Sequence, residues 1–426
     1  MISQKECAKR RKKLLKKLPM NSISVLLSAT PKVRSHDTEY PYRQNSNFYY
    51  LSGLEEDNAA LLLLKTKERV ASYLFVIKKD PQMELWNGKR LGVERSKELF
   101  SVDDVFEITQ LSEKIAAFGE SCSHFLYDFY EEKTKINSLL EQLKNVQTYS
   151  NVASFIEELR LVKSQAEIAL IKKALRITQE AHHRIIKMTP KLHFEYEVQA
   201  EIEYVFCKRG AKSDAYTSIV ASGNNANTLH YISNDKELAK KSLILIDAGC
   251  EYKYYASDIT RTIPRDGTFT QAQKELYSLV LDVNKKIIGM IRPGVLRSEL
   301  QKKSEELLTR GMLRLGILDG ELKENLESKA FKKYYPHGIG HWMGIDVHDE
   351  APYKDREGKE LPLQKGMVLT IEPGIYLDED DVSIPKKYRG IGIRIEDDIL
   401  VTKEGYENLS QEIVKELRDI ESLASP

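Results

Sequence analysis

Leu243-Ile244-Leu245-Ile246-Asp247-Ala248-Gly249 is an apolar run that ends in an acid and two small residues. After 250–253 the chain returns as Tyr254-Tyr255-Ala256-Ser257-Asp258-Ile259-Thr260-Arg261-Thr262. The pair reads as a β-hairpin. Side chains alternate along a strand and facing residues lie close, so pairing brings Asp247 and Asp258 together on one face. Two aspartates beside a turn would by themselves be ordinary surface residues. Three further segments change that balance. Leu369-Thr370-Ile371-Glu372-Pro373-Gly374 again ends an apolar run in an acid, and Ile391-Gly392-Ile393-Arg394-Ile395-Glu396-Asp397 alternates so that Arg394 and Glu396 share a face. Between these and the hairpin lies His337-Gly338-Ile339-Gly340-His341, followed by His348.

Four carboxylates around one cavity repel, and without cations some must take up protons. Two divalent ions balance the charge of Asp247, Asp258, Glu372 and Glu396, and one imidazole completes an oxygen-rich shell. Such a shell suits manganese, cobalt or iron(II) better than a thiolate zinc site does. Bridging carboxylates hold such ions ~3.5–4 Å apart around a shared water, an arrangement used for hydrolysis. The i, i+4 spacing of His337 and His341 would suit a helical metal pair, but Gly338 and Gly340 each cost a helix about 1 kcal/mol. A loop or strand is expected there, in which one histidine suffices as a ligand and the other is free to meet substrate.

The rest of the chain frames this constellation. Its 426 residues lead us to expect two domains. Residues 22–27, 48–51, 60–64 and 72–77 read as strands and 112–118 and 133–143 as helices, the pattern of a small α/β domain. The pattern changes near 157–163. A capping box, Ser164 with Glu167, then opens a long helix on which Ile168, Ile171, Leu175 and Ile185 form one apolar face. Domains are expected at 1–158 and 159–426, with further long helices at about 195–209, 271–290 and 297–315. Basic and acidic residues number 65 and 64, a net charge of +1, which gives no electrostatic reason to expect nucleic acid or an anionic membrane as partner. Cys7, Cys122, Cys207 and Cys250 lack CxxC spacing, as in a cytoplasmic protein with reduced thiols. Residues 1–18 are basic and amphipathic without an apolar signal core, and are expected to form an exposed helix ending near Pro19. No stretch reaches the ~20 apolar residues needed to cross a bilayer.

The segments Asp247-Ala248-Gly249-Cys250-Glu251-Tyr252, Ser257-Asp258-Ile259-Thr260-Arg261-Thr262, His337-Gly338-Ile339-Gly340-His341, Ile371-Glu372-Pro373-Gly374 and Arg394-Ile395-Glu396-Asp397 closely resemble those of bacterial Xaa-Pro aminopeptidases, which are pita-bread metallopeptidases. The likeness extends to Asp37-Thr38-Glu39-Tyr40-Pro41-Tyr42-Arg43-Gln44-Asn45-Ser46-Asn47-Phe48-Tyr49-Tyr50-Leu51 and so covers almost the whole chain. It implies an α/β (α+β) fold: a small N-terminal aminopeptidase P domain, and a C-terminal pita-bread (creatinase/aminopeptidase) domain. Carried over by position, it makes Asp247, Asp258, His341, Glu372 and Glu396 the ligands of two divalent ions, manganese first, with cobalt, iron(II) or zinc as alternatives. Glu372 would also accept a proton from the attacking water. His230 and His348 match histidines that contact the scissile peptide, His337 one that lines the proline-side pocket, and Arg394 one that orients a ligand carboxylate. Tyr376 and Trp86 resemble residues near the substrate pocket. At 151–154 this chain has no arginine where some members carry one.

The resemblance implies hydrolysis of the N-terminal Xaa-Pro bond by a metal-bridging hydroxide, peptide substrates with proline second, and a homo-tetramer or homo-dimer. Prolidase, acting on dipeptides with the same ligand set, is the nearest alternative. A non-catalytic binding relative is a more remote one, since such relatives typically lose ligands and none is missing here.

Overall fold

The computed structural model describes residues 2–130 and 133–425. They divide into two compact units, Met1–Arg160 and Leu161–Pro426.

The first unit is built on a six-stranded mixed sheet in the order Asp104–Glu107, Val70–Val76, Ala60–Lys65, Ser22–Leu27, His124–Tyr127, Thr148–Asn151. Ser22–Leu27 runs antiparallel to Ala60–Lys65 and parallel to His124–Tyr127. Both central strands read as near-continuous apolar runs because both of their faces are covered. The strand expected at 48–51 is instead part of a helix, Ser46–Ser52. Phe-Tyr-Tyr-Leu has strand-forming residues, but the termini decide: the Asn45 side chain accepts the Phe48 amide, and Gly53 closes the helix in the left-handed region at φ 71°. The N-terminal helix Gln4–Lys17 is also less exposed than its charge suggested, since Arg10 and Arg11 are buried. They donate to Tyr50 O at 3.0 Å and Leu51 O at 2.7 Å, so two cations satisfy carbonyls at the C-terminal end of Ser46–Ser52.

In the second unit one layout occurs twice. Helices Gln165–Met188 and Glu195–Lys208 precede an antiparallel sheet of Ile219–Ser222, Leu243–Asp247 and Thr260–Pro264. Helices Gln271–Ile288 and Arg297–Arg314 then precede two antiparallel groups: Val368–Ile371 with Asp397–Val401 and Tyr406–Asn408, and Gly374–Leu377 with Ile391–Arg394. The Ser164–Glu167 capping box forms, and Ile168, Ile171, Leu175 and Ile185 all turn inward. Each half thus lays a helical layer over strands whose ends carry acids. No helix of the described residues is long and apolar enough to cross a membrane.

Candidate metal centre

The hairpin that opened the reading is present with a modification. Leu243–Asp247 pairs with Thr260–Pro264, in register Asp247 to Thr260 and Leu243 to Pro264. The return from Tyr254 is not one strand: Tyr255–Ala256 pairs back on Cys250–Tyr252, and the chain crosses at Ser257 before rejoining the sheet. Gly249 permits the crossing, because a Cβ there would lie 1.8 Å from Ser257 O. Asp258 precedes Thr260 by two residues, and both turn toward the carboxylates described next.

Glu372 and Glu396 sit where two strands change partners. Ile371 is paired with Asp397 and Gly374 with Arg394, so Glu372-Pro373 and Ile395-Glu396 face each other at a break between sheets. Carbonyls at such a break need donors. Asn284, wholly buried on Gln271–Ile288, gives its Nδ2 to Ile371 O at 3.1 Å and Ile395 O at 3.2 Å. Lys415 donates to Asn284 Oδ1 at 2.8 Å and to Asp397, which also binds Arg261 at 2.9 Å. Burial would raise Asp397, but Arg261 and Lys415 outweigh it and hold the carboxyl at about 2. Residues 337–341 are not helical, as the glycines led us to expect. They run along Val368–Ile371, with Thr370 N donating to His341 O at 2.9 Å and a Cβ on Gly340 excluded by Thr370 O at 1.9 Å.

These elements converge on one cavity of about 270 Å³, lined by Asp247, Asp258, His341, Glu372 and Glu396 together with His230, His337, His348 and Arg394. Three overlapping sets, Asp247/Asp258/Glu396, His341/Glu372/Glu396 and Asp258/His341/His348, each bring their ligand atoms within 4.8 Å of one another. Glu396 is common to the first two, so these sets could hold two adjacent cations that share a carboxylate.

The donor set fits cations on electrostatic grounds. His341 Nδ1 lies 2.9 Å from Trp342 O, an acceptor only, so Nδ1 carries the proton and Nε2 faces Asp258 Oδ2 at 3.2 Å and Glu372 Oε1 at 3.7 Å. Acceptors that face one another need a proton or a metal between them. Burial lowers the His341 pKa, yet hydrogen bonding and charge from Asp258 and charge from Glu372 outweigh it and raise it to about 9. Desolvation, with Asp258 and Asp247 nearby, pushes Glu372 up to about 7 despite His341 and Arg394. Desolvation and neighbouring carboxylates also raise Asp247 and Glu396. These groups therefore bind protons more tightly than free side chains would, at the atoms where cations would take their place.

The other residues singled out from the sequence take distinct places. Arg394 donates to Asp247 Oδ2 at 2.6 Å and to Tyr376 Oη at 3.0 Å. His337 Nδ1 is 2.8 Å from Gly338 O and its Nε2 is 2.9 Å from Tyr376 Oη. Nδ1 thus donates to the carbonyl, with Glu372 Oε2 3.9 Å away, and Nε2 accepts the phenol proton, so both ring nitrogens are engaged. Desolvation first and Arg394 second lower His337 to about 4, so it is neutral. Tyr376 lies behind His337, whereas His230 and His348 are exposed at the mouth. Trp86 belongs to the first unit, on the helix Pro81–Asn87, and is 84% exposed.

Sequence reasoning missed the residues that aim the acids. Thr260 Oγ1 donates to Glu396 Oε2 at 2.7 Å and accepts from Arg394 Nε at 3.0 Å. Thr370 Oγ1 donates to Glu372 Oε1 at 3.2 Å, and Tyr216 Oη to Asp247 Oδ1 at 2.5 Å. Period two along Asp258-Ile259-Thr260 and Thr370-Ile371-Glu372 would have found both threonines. Tyr216 lies between strands and had no such signal.

Comparison with known proteins agrees with this geometry. Residues 169–403 match the model of metallopeptidase family M24, and residues 7–127 that of the aminopeptidase P N-terminal domain. The chain is 40% identical to the Xaa-Pro aminopeptidase of Haemophilus influenzae, over 99% of this chain and 97% of that one. Among solved structures, zinc-substituted E. coli aminopeptidase P in complex with product superimposes with a TM-score of 0.95 at 38% identity, covering 99% of this chain and 98% of that chain. Proline aminopeptidase P II from Yersinia pestis gives 0.94 at 37% identity, covering 99% of each chain. The chain is therefore a member of metallopeptidase family M24, with an aminopeptidase P N-terminal domain ahead of a pita-bread catalytic domain.

Proposed function

We infer that the protein is a metal-dependent aminopeptidase that hydrolyses the bond between an N-terminal residue and a following proline. The observation that carries this reading is the convergence of four carboxylates and one imidazole on a cavity also lined by three further histidines and Arg394. Asp247, Asp258, His341, Glu372 and Glu396 would hold two divalent ions. Bound there, the ions would polarise the scissile carbonyl and acidify water enough to provide a nucleophile near neutral pH. Manganese is the proposed metal, because oxygen donors dominate the set and no thiolate takes part.

The protein's own groups divide the remaining work. Glu372 is the proposed proton acceptor for the attacking water: Thr370 engages its Oε1, which leaves Oε2 for the proton. Arg394 holds Asp247 in place while Tyr376 links it to His337. With both its nitrogens engaged, His337 offers an apolar ring edge, a suitable wall for a proline ring that has no N–H to satisfy. His230 and His348, which line the cavity at its mouth, are the proposed donors to the carbonyl oxygen as charge develops on it. We further propose cytoplasmic residence, which the four cysteines without CxxC spacing support, and a homo-tetramer or homo-dimer as the working form, which the sequence resemblance supports.

The test is hydrolysis of an Xaa-Pro-Xaa tripeptide by chelator-treated protein with and without added manganese. Release of the first residue only with metal is expected, and a preference for Xaa-Pro dipeptides would favour prolidase. Glu372→Gln should lower kcat by about 10²–10⁴-fold with the fold intact, as for loss of a general base. Undiminished cleavage would remove Glu372 from that role.

A further inference from the structure

Residues 342–349 form a loop that begins beside His341 and carries His348, so its shape decides where His348 sits relative to His341. It is closed by Asp349 N donating to Trp342 O at 2.9 Å and Gly344 N to Asp346 O at 3.0 Å, and tied to Tyr255–Ala256 by Ala256 N donating to Gly344 O at 2.9 Å. Beneath it lies an ion pair. Lys163 Nζ donates to Asp349 Oδ2 at 3.1 Å, and each of the two side chains is 1% exposed. The other carboxylate oxygen accepts the Asp346 amide at 3.4 Å. Lys163 is fixed in turn: its amide donates to Gly366 O at 2.8 Å, and the next residue, Ser164, caps the helix Gln165–Met188. The loop rests directly on the pair, because a Cβ on Gly344 would come within 2.7 Å of Asp349 Oδ2 and 2.9 Å of Lys163 Cε. On the cavity side, the His341 and His348 rings meet edge to face, 4.3 Å between centroids.

A buried ion pair is a poor source of net stability, since desolvating both charges cancels much of their attraction and an apolar pair of similar volume often serves as well. What the charges add is direction. One ammonium and one backbone amide fix both oxygens of the residue that follows His348. We propose that Lys163, acting through Asp349, is a positioning residue: the pair holds the loop that presents His348 to the substrate. This rests on the aminopeptidase reading given above.

Three variants test it: Lys163→Met, Asp349→Asn and the double variant. Each is followed by Tm, by kcat and KM on an Xaa-Pro-Xaa tripeptide with manganese, and by the His348 ring Cε1–H resonance, assigned with His348→Gln. Each single variant breaks one side of a buried ion pair and should lower Tm, while the double variant should recover most of that loss. All three should nevertheless show kcat reduced about 10- to 100-fold, the scale of a small misplacement of a reacting group, with KM changed less than about threefold. The His348 resonance should shift or broaden in each. A double variant with recovered Tm, wild-type kcat and an unmoved His348 resonance would reduce the pair to a structural one and overturn the proposal. If the double variant does not fold, Asp349→Asn, which keeps the acceptor for the Asp346 amide, decides by the same two readouts. A wild-type protein inert on the tripeptide would instead remove the aminopeptidase reading, and the resonance would still report whether the pair holds the loop.

Discussion

His341 and Glu372 bind protons more tightly in the folded, metal-free site than in an unfolded chain: His341 at about 9 against the usual 6.5, Glu372 at about 7 against 4.5. Asp247 and Glu396 are raised in the same sense. The sign follows from linkage. His341 contributes stability that is fully present below pH 6.5 and lost as pH rises through about 9, and the raised carboxyls oppose folding increasingly once pH passes their unfolded values. Metal-free protein should therefore lose Tm progressively between pH 5 and 9, whereas manganese-loaded protein should show little of that loss, because the cations have replaced the protons. Calorimetry of both forms across that range checks it, and parallel curves would count against the site. The threonine at 260 gives a second expectation. Thr260→Val strips a partner from buried Glu396 and Arg394 at once, so a loss of about 1–3 kcal/mol in stability and about 10- to 100-fold in manganese affinity is expected, read by thermal unfolding and calorimetric titration. The acids themselves were readable in the sequence: Asp247 and Glu372 end apolar runs, Asp258 lies on the return strand that faces Asp247, and Glu396 alternates with Arg394 along its strand. Tyr216 was not, since an aromatic residue in a loop announces no partner until the fold places Asp247 beside it.

Strands and helices position the site through their breaks more than through their regular parts. Glu372 and Glu396 point into the cavity because two strands change partners there, and Asn284 makes that break tolerable by capping Ile371 and Ile395. Asn284→Ala should cost about 2–6 kcal/mol, two carbonyls losing a donor at roughly 1–3 kcal/mol each, with the loss visible in denaturant unfolding. A cost under about 0.5 kcal/mol would mean that the break is satisfied in another way. Sequence periodicity located the long helices and the acid-tipped strands, where the apolar pattern dictates which face is buried. It erred at Phe48-Tyr49-Tyr50-Leu51, where side-chain type suggested a strand but the Asn45 cap and Gly53 enforce a helix. It also read one return strand where the crossing at Gly249 and Ser257 makes two. A mid-helix asparagine such as Asn284 carries no local sign of its task, because both of its acceptors lie far away along the chain.

Across the whole molecule, the second unit repeats one layout of paired helices over acid-tipped strands, and the two copies line complementary sides of the cavity: Asp247 and Asp258 from the first, His341, Glu372 and Glu396 from the second. A cation site assembled this way exists only in the folded state, so binding free energy adds to folding free energy. With a net charge of +1 the chain has no strong overall field, and selection of substrate rests on the cavity rather than on long-range steering. The central claim is that these five side chains bind a pair of divalent cations. It is tested most directly by an anomalous difference map, recorded at the manganese edge, from a crystal grown with manganese. Two peaks are predicted inside the cavity, one bounded by Asp247, Asp258 and Glu396 and the other by His341, Glu372 and Glu396, with Glu396 between them. A map with no peak among these residues, in protein that is folded and exposed to excess manganese, would contradict the account.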